Sequence, residues 1–302
     1  MPEGPVALRA ARVVLRGLAQ VMFQRDARAG AVFLAALGVA APVLAVAALA
    51  GAAVSTATAR RAGAPEAELR AGLHGFNGAL AGIALALFPG APGPGWRAAL
   101  VLAGAAATAL VCLRLAPLLR RAGLPVLTAP FNLLALPVLA LVHGATGPLV
   151  PALPETGGLA VILARGTVNG FAQVFFLQGV LPGLIVASGL ALAAPRALGL
   201  AVVASGAGAA LALALGAEAG AVGAGLYGYN GVLVAIALGA VFLAPGRAAV
   251  RLALGAALVA VPVHVTIAGA LGAMGLPGLT VAFVIVTWGG VLVARRLGIA
   301  RG

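Results

Sequence analysis

Few side chains in this sequence could do chemistry, and most of them come in pairs. Gln20 and Gln173, Phe23 and Phe176, Phe76 and Tyr229, Asn77 and Asn230, and Leu80 and Leu233 stand 153 residues apart, and Thr128 and Thr280 stand 152 apart. Amides and hydroxyls with no carboxylate or imidazole among them are weak acids and bases, but they can donate and accept hydrogen bonds. The set therefore suits holding a polar solute rather than transforming one. Paired Phe and Leu could wall a narrow slot, while paired Gln, Thr and freed backbone carbonyls could line it with polar groups. His74, His143 and His264, with the single Cys112, have no metal-ligand spacing, and no nucleophile–base pair is evident. Neither an enzyme site, a metal nor a cofactor is expected.

The pairing reflects a duplication. Gly72-Leu-His-Gly-Phe-Asn-Gly-Ala-Leu80 returns as Gly225-Leu-Tyr-Gly-Tyr-Asn-Gly-Val-Leu233, and over 72–89 against 225–242 nine of eighteen positions are identical. That agreement exceeds what a Gly/Ala/Leu-rich composition gives by chance. Gly17 and Gly170, Gly30 and Gly183, and Pro42 and Pro195 keep the offset of 153, whereas Phe131 and Phe283 follow the threonines at 152. The reading is a first repeat over 5–143, a Gly/Pro-rich linker over 144–158 and a second repeat over 159–297.

The surroundings of these residues are apolar. Of the 302 residues, 63% are hydrophobic and 8% charged, and the mean hydropathy is +1.16. Soluble domains carry about 25% charged residues, so the expected solvent is the lipid bilayer. The net charge of +13 comes from nineteen arginines and no lysine. These arginines sit mostly at the ends of apolar runs and form no basic face interleaved with aromatics, so nucleic acid is not an expected partner. Cys112 lies within an apolar run and reads as inert packing. No cleavable signal peptide is visible in the first twenty residues, which carry Arg9, Arg12 and Arg16.

Taken in order, residues 5–23 form an amphipathic segment that ends at a polar break over 24–28. The apolar run 30–59 exceeds one span, and Pro42 divides it. A polar loop covers 60–70, the repeated motif follows, and 89–94 makes a turn beside Trp96, an interface anchor. Residues 98–119 predict a span closed by Arg120 and Arg121, and a further run covers 124–142. The second half replays this with runs at 166–176, 179–215, 248–270 and 277–294. The fold class is thus an all-α integral membrane protein with about five spanning segments per half, plus one candidate re-entrant segment in each. An odd number inserts the second half upside-down, giving inverted repeats. Both termini then share one side, and their arginines place it in the cytoplasm.

The site of an inverted repeat is expected on its pseudo-axis near the bilayer midplane. The six acids, Glu3, Asp26, Glu66, Glu68, Glu155 and Glu218, fall in termini, loops or breaks. Arg114 and His264 lie inside apolar runs without like partners in the other half. Ion-coupled carriers keep charges at depth, so their absence favours passive movement of a neutral solute. Bland roles compete: Phe and Leu serve as packing, Thr bonds its own i−4 carbonyl, Gly72, Gly75 and Gly78 permit close helix contact, and Asn77 and Asn230 satisfy broken helix ends.

The twin Gly-Leu-x-Gly-(Phe/Tyr)-Asn-Gly segments, the Thr-Ala-Pro-Phe-Asn stretch at 128–132, and Gln20-Val21 with Gln173-Val174 resemble the urea transporter family over about residues 12 to 294. Phe76 departs from its usual Tyr, Ala129 from its Leu, and Arg25-Asp26 from an Asn-Pro. The resemblance implies a homotrimer in a bacterial inner membrane, with one pore per protomer and passive, channel-like urea flow. It implies that Phe23, Phe76, Leu80, Phe176, Tyr229 and Leu233 sandwich the flat solute while Gln20, Gln173, Thr128 and Thr280 bond it. The alternatives are a channel for ammonia, water or a small amide, and an ion-coupled transporter.

Overall fold

The computed structural model describes residues 6–88, 93–143 and 157–301. The linker expected at 144–158 and the turn at 89–94 lie mostly outside them, as do Glu3 and Glu155. Among the described residues the chain is helical apart from one isolated bridge between Leu243 and Ala300. It folds as two compact units, Met1–His143 and Gly144–Gly302.

The first unit runs α1 (Val6–Gln20), α2 (Ala27–Ala40), α3 (Pro42–Arg61), α4 (Glu66–Arg70), α5 (Phe76–Leu87), α6 (Pro94–Ala122) and α7 (Ala129–His143). The second runs α8 (Leu159–Gln173), α9 (Val180–Ala193), α10 (Pro195–Ala214), α11 (Ala219–Gly223), α12 (Tyr229–Ile236), α13 (Arg247–Gly272) and α14 (Val281–Arg296). A π-helical segment, Ala237–Phe242, continues α12. Each unit thus repeats the same order of elements. The second opening helix starts at Leu159, earlier than the run at 166 predicts.

Local chemistry sets these boundaries. Pro42 and Pro195 stand in the first turns of α3 and α10, where the missing N–H is no loss, each after an extended Ala41 or Ala194. Asp26 caps α2, accepting from the Arg28 backbone N–H at 2.9 Å. The Arg28 side chain bonds the same carboxyl and holds it below the usual carboxylate range. In this way the Arg25-Asp26 departure supplies a helix cap. Gly123, left-handed at φ 68°, closes α6.

Four helices reach spanning length and apolarity among the described residues: α3, α6, α10 and α13. The apolar helices α2, α5, α7 and α9 have 12–15 residues, about 18–22 Å at 1.5 Å per residue, short of the ~30 Å hydrocarbon core. The divisions between α2 and α3 and between α9 and α10 fall where Pro42 and Pro195 predict them. The runs 124–142 and 277–294 predict helix almost from their first residues, yet helix begins only at Ala129 and Val281. Leu127 (φ 51°) and Leu279 (φ 42°) turn left-handed within these runs, so right-handed helix starts only beyond them.

Close packing holds the breaks in place. Gly72 (φ +78°) sits on the backbone of α1, where a Cβ would lie 2.6 Å from the Arg16 carbonyl carbon and the Gly17 nitrogen. Gly225 (φ +84°) lies equally close to Asn169 and Gly170 of α8. Glycine alone meets both demands, an unstrained left-handed backbone and no Cβ. Gly72→Ala and Gly225→Ala should each lower stability by more than the ~1–2 kcal/mol of a left-handed alanine, because the contact adds to it. Gly38→Ala, in the last turn of α2 with open space around it, should instead gain up to about 0.5 kcal/mol. Thermal unfolding of the detergent-purified protein checks both signs.

Candidate functional site

The paired residues gather at the breaks rather than in mid-helix. Gln20 is the last residue of α1 and Gln173 the last of α8. Both are buried, and each donates from Nε2 to a backbone carbonyl: Gln20 to Ala71 at 2.9 Å, Gln173 to Ala224 at 3.1 Å. These carbonyls belong to the residues just before Gly72 and Gly225. One turn earlier on the same helices, Arg16 Nη1 donates to Arg70 O at 2.9 Å and Asn169 Nδ2 to Gly223 O at 2.7 Å. Each opening helix is therefore tied to the following motif by two side chains.

Phe23 and Phe176 lie three residues beyond, half-buried, in turns with φ of 62° and 59°. Phe76 and Tyr229 are the first residues of α5 and α12. Leu80 and Leu233 follow one turn on, each about 1% exposed. That burial is what core side chains show, and only Phe76, Phe23 and Phe176 among the six proposed wall residues keep substantial exposed surface. Thr128 and Thr280 are buried in the turns that precede α7 and α14.

The asparagines join these turns to the motif. Asn77 Nδ2 donates to Leu127 O at 3.1 Å, and its Oδ1 accepts from Phe131 N at 3.3 Å. Asn230 Oδ1 accepts from Phe283 N at 3.1 Å. As expected for broken helix ends, both satisfy backbone groups that helices α7 and α14 leave open. Within each unit, the Gln bond thus reaches the residue before the motif glycine, and the Asn bonds join the motif to the start of the helix that follows Thr128 or Thr280. Leu127 and Leu279 adopt left-handed φ of 51° and 42° immediately before the threonines. Strained non-glycine backbone of this kind persists where the surroundings enforce it, and it clusters at functional places. The sequence carries no local mark of it.

Two further positions escape a reading of the sequence. His264 of α13 is buried, with Nδ1 3.3 Å from Asn230 Nδ2 and its ring edge-on to Tyr227 and Tyr229 at 6.0 and 5.4 Å. In the first unit His74 Nε2 lies 3.0 Å from Glu68 Oε2, while Ser55 Oγ donates to the His74 carbonyl. Both histidines belong to one unit only, so a filter that demands like partners passes them over.

The arrangement offers oriented amides, hydroxyls and carbonyls beside aromatic and aliphatic surface. A family model described as urea transporter matches residues 11–295. Urea transporter 1 of Ovis aries is 28% identical over 305 residues, covering 95% of this chain and 78% of that protein. Urea transporter 1 of Rattus norvegicus is 29% identical over 302 residues, with the same coverage.

Removing Asn77 should expose the weight of its two bonds. Asn77→Ala takes these bonds from a buried carbonyl and a buried N–H, a loss of about 1–3 kcal/mol for each. Asn77→Asp keeps the acceptor for Phe131 N but as a carboxylate loses the donor to Leu127 O, so its thermal stability should fall below wild type at neutral pH and recover toward it at acid pH, where the protonated carboxyl regains an O–H donor.

Proposed function

The chain belongs to the urea transporter family, and from that premise we propose that it conducts urea passively, down its gradient, through a pore within each protomer. In this reading the two units are inverted repeats, 5–143 and 159–297 with 144–158 between them, and the pathway runs along their pseudo-axis. The protomers assemble as a homotrimer in a bacterial inner membrane, with both Arg-rich termini in the cytoplasm. The relatives' printed name, urea transporter 1, supports urea as the solute.

The observation that carries the reading is the doubled bond set. Gln20 and Gln173 each give one amide N–H to a carbonyl of their own unit, which orients the amide and leaves its oxygen as an acceptor. The Leu127 carbonyl accepts from Asn77 and the Leu279 carbonyl from Tyr229, and a carbonyl oxygen has a second lone pair. With the Thr128 and Thr280 hydroxyls, these are acceptors for the two NH2 groups of urea. Stripping water from an unpaired amide costs roughly 2–7 kcal/mol, and a line of acceptors offsets that while a flat slot of Phe and Leu excludes bulkier molecules.

Light scattering by proteoliposomes under a urea gradient tests the reading. Urea flux should saturate only at high concentration and stay unchanged when proton and sodium gradients are collapsed. Flux that vanishes with the ion gradients would make the protein a coupled transporter, and flux of water or ammonia without urea would assign it another solute.

The slot has its own test. Leu80→Ala and Leu233→Ala should raise the ratio of dimethylurea to urea permeability if these leucines wall the pathway. As core packing alone, each change should cost roughly 2–5 kcal/mol of stability and leave the ratio flat.

A further inference from the structure

The two units secure the same strained carbonyl with different donors, and the difference involves two positions at once. In the first unit Asn77 serves both partners, Leu127 O through Nδ2 and Phe131 N through Oδ1. In the second unit Asn230 keeps the bond to Phe283 N but not the one to the carbonyl, and the Leu279 carbonyl takes the Tyr229 hydroxyl instead. The Asn230 nitrogen turns instead to the Tyr229 hydroxyl and to His264.

The bonds fix the proton positions. A backbone N–H only donates, so the Asn230 atom facing Phe283 N is the oxygen and the one facing His264 is the nitrogen. That nitrogen donates, so His264 Nδ1 accepts, and the neutral imidazole carries its proton on Nε2. The same ring covers the turn before Thr280, since a Cβ on Gly278 would meet His264 Cε1 at 3.3 Å and Nδ1 at 3.4 Å. His264 therefore touches the amide, both tyrosine rings and the backbone that presents the Leu279 carbonyl and Thr280.

The first unit identifies what His264 replaces. The buried positions of α6, namely 101, 104, 105, 108, 109 and 112, map at an offset of 152 onto 253, 256, 257, 260, 261 and 264 of α13, all of them buried. Cys112 thus stands where His264 does. Phe76 with Cys112 accompanies an asparagine that caps the carbonyl itself, and Tyr229 with His264 accompanies one that does not.

We propose that Tyr229 and His264 form a coupled positioning pair: Tyr229 caps the Leu279 carbonyl, and His264 holds the displaced Asn230 amide, together setting the geometry of the second unit's half of the urea path. The proposal rests on the urea-pore reading for its consequence in transport, whereas the swap of donors stands on the bonds alone.

A double-mutant cycle tests it. Tyr229→Phe removes the cap while His264 still engages the Asn230 nitrogen, so urea permeability should fall about two- to tenfold, the effect of losing one hydrogen bond on a limiting step, and thermal stability should drop. Tyr229→Phe combined with His264→Cys reinstates the first unit's pair, freeing the Asn230 amide to reach the Leu279 carbonyl as Asn77 reaches Leu127. The double variant should then recover most of the stability and flux lost by Tyr229→Phe, and return the dimethylurea-to-urea ratio toward wild type. Losses in stability that simply add in the double variant would overturn the coupling. Recovery of stability without recovery of flux or ratio would confine the pair to folding and overturn its role in the path. Wild-type protein that carries no urea would instead refute the urea reading, while the stability cycle still judges the swap.

Discussion

The contact on which the rest of each unit depends is that of the motif glycine with the backbone of the opening helix. Gly72 against Arg16 and Gly17, and Gly225 against Asn169 and Gly170, bring two main chains to van der Waals range with no side chain between them. Only at that range can Gln20 and Gln173, on the next turn, reach the carbonyls just before the glycines. Only with that turn fixed do α5 and α12 start where Asn77 and Asn230 meet the N-terminal ends of α7 and α14. Glycine here acts by absence, and the polar bonds are its consequence.

The same contact explains how so apolar a chain tolerates broken helices. Each break frees N–H and C=O groups that lipid cannot satisfy, and each free group costs several kcal/mol. Apart from Arg16, whose bond to Arg70 is exposed, the side chains that answer them are neutral: Gln20, Asn77, Asn169, Gln173, Asn230 and Tyr229. A charge would bring its own larger desolvation penalty. Charged groups with carboxylate partners instead cluster at the polar break and loop, as Arg28 with Asp26 and Arg70 with Glu66.

Much of this was legible because duplication is a comparison the sequence makes with itself. Pairs such as Gln20 and Gln173 stand out against Ala and Leu, and Pro42 and Pro195 announce helix starts with a local mechanism. The carbonyl partners were not legible. Ala71 and Ala224 differ in no way from other alanines until the fold brings a glutamine to them. Leucine is among the residues least expected at positive φ, so Leu127 and Leu279 read as ordinary helix. His264 was hidden for the opposite reason: its partner is the asparagine left over when Tyr229 takes the carbonyl, a relation that needs three elements in place at once.

The left-handed residues also say which side chains the protein needs. The chain holds 44 glycines and places one at most of the positive-φ positions among its described residues, as at Gly63, Gly123 and Gly216. At Phe23, Leu127, Phe176 and Leu279 it does not. A left-handed L-residue carries about 1–2 kcal/mol of strain that glycine would relieve. Strain is therefore kept at two matched pairs of sites in a sequence with glycine to spare. What glycine lacks there is the side chain, and an apolar side chain at a break repays that strain only by covering something. Phe23 and Phe176 remain half-exposed despite being among the largest apolar residues, so burial in their own units does not account for them. Leu127 and Leu279 are buried, and their packing holds the carbonyls and the following threonines in one direction. In the urea path proposed above, the paired aromatics would supply surface and the paired leucines would fix the backbone that presents the threonines.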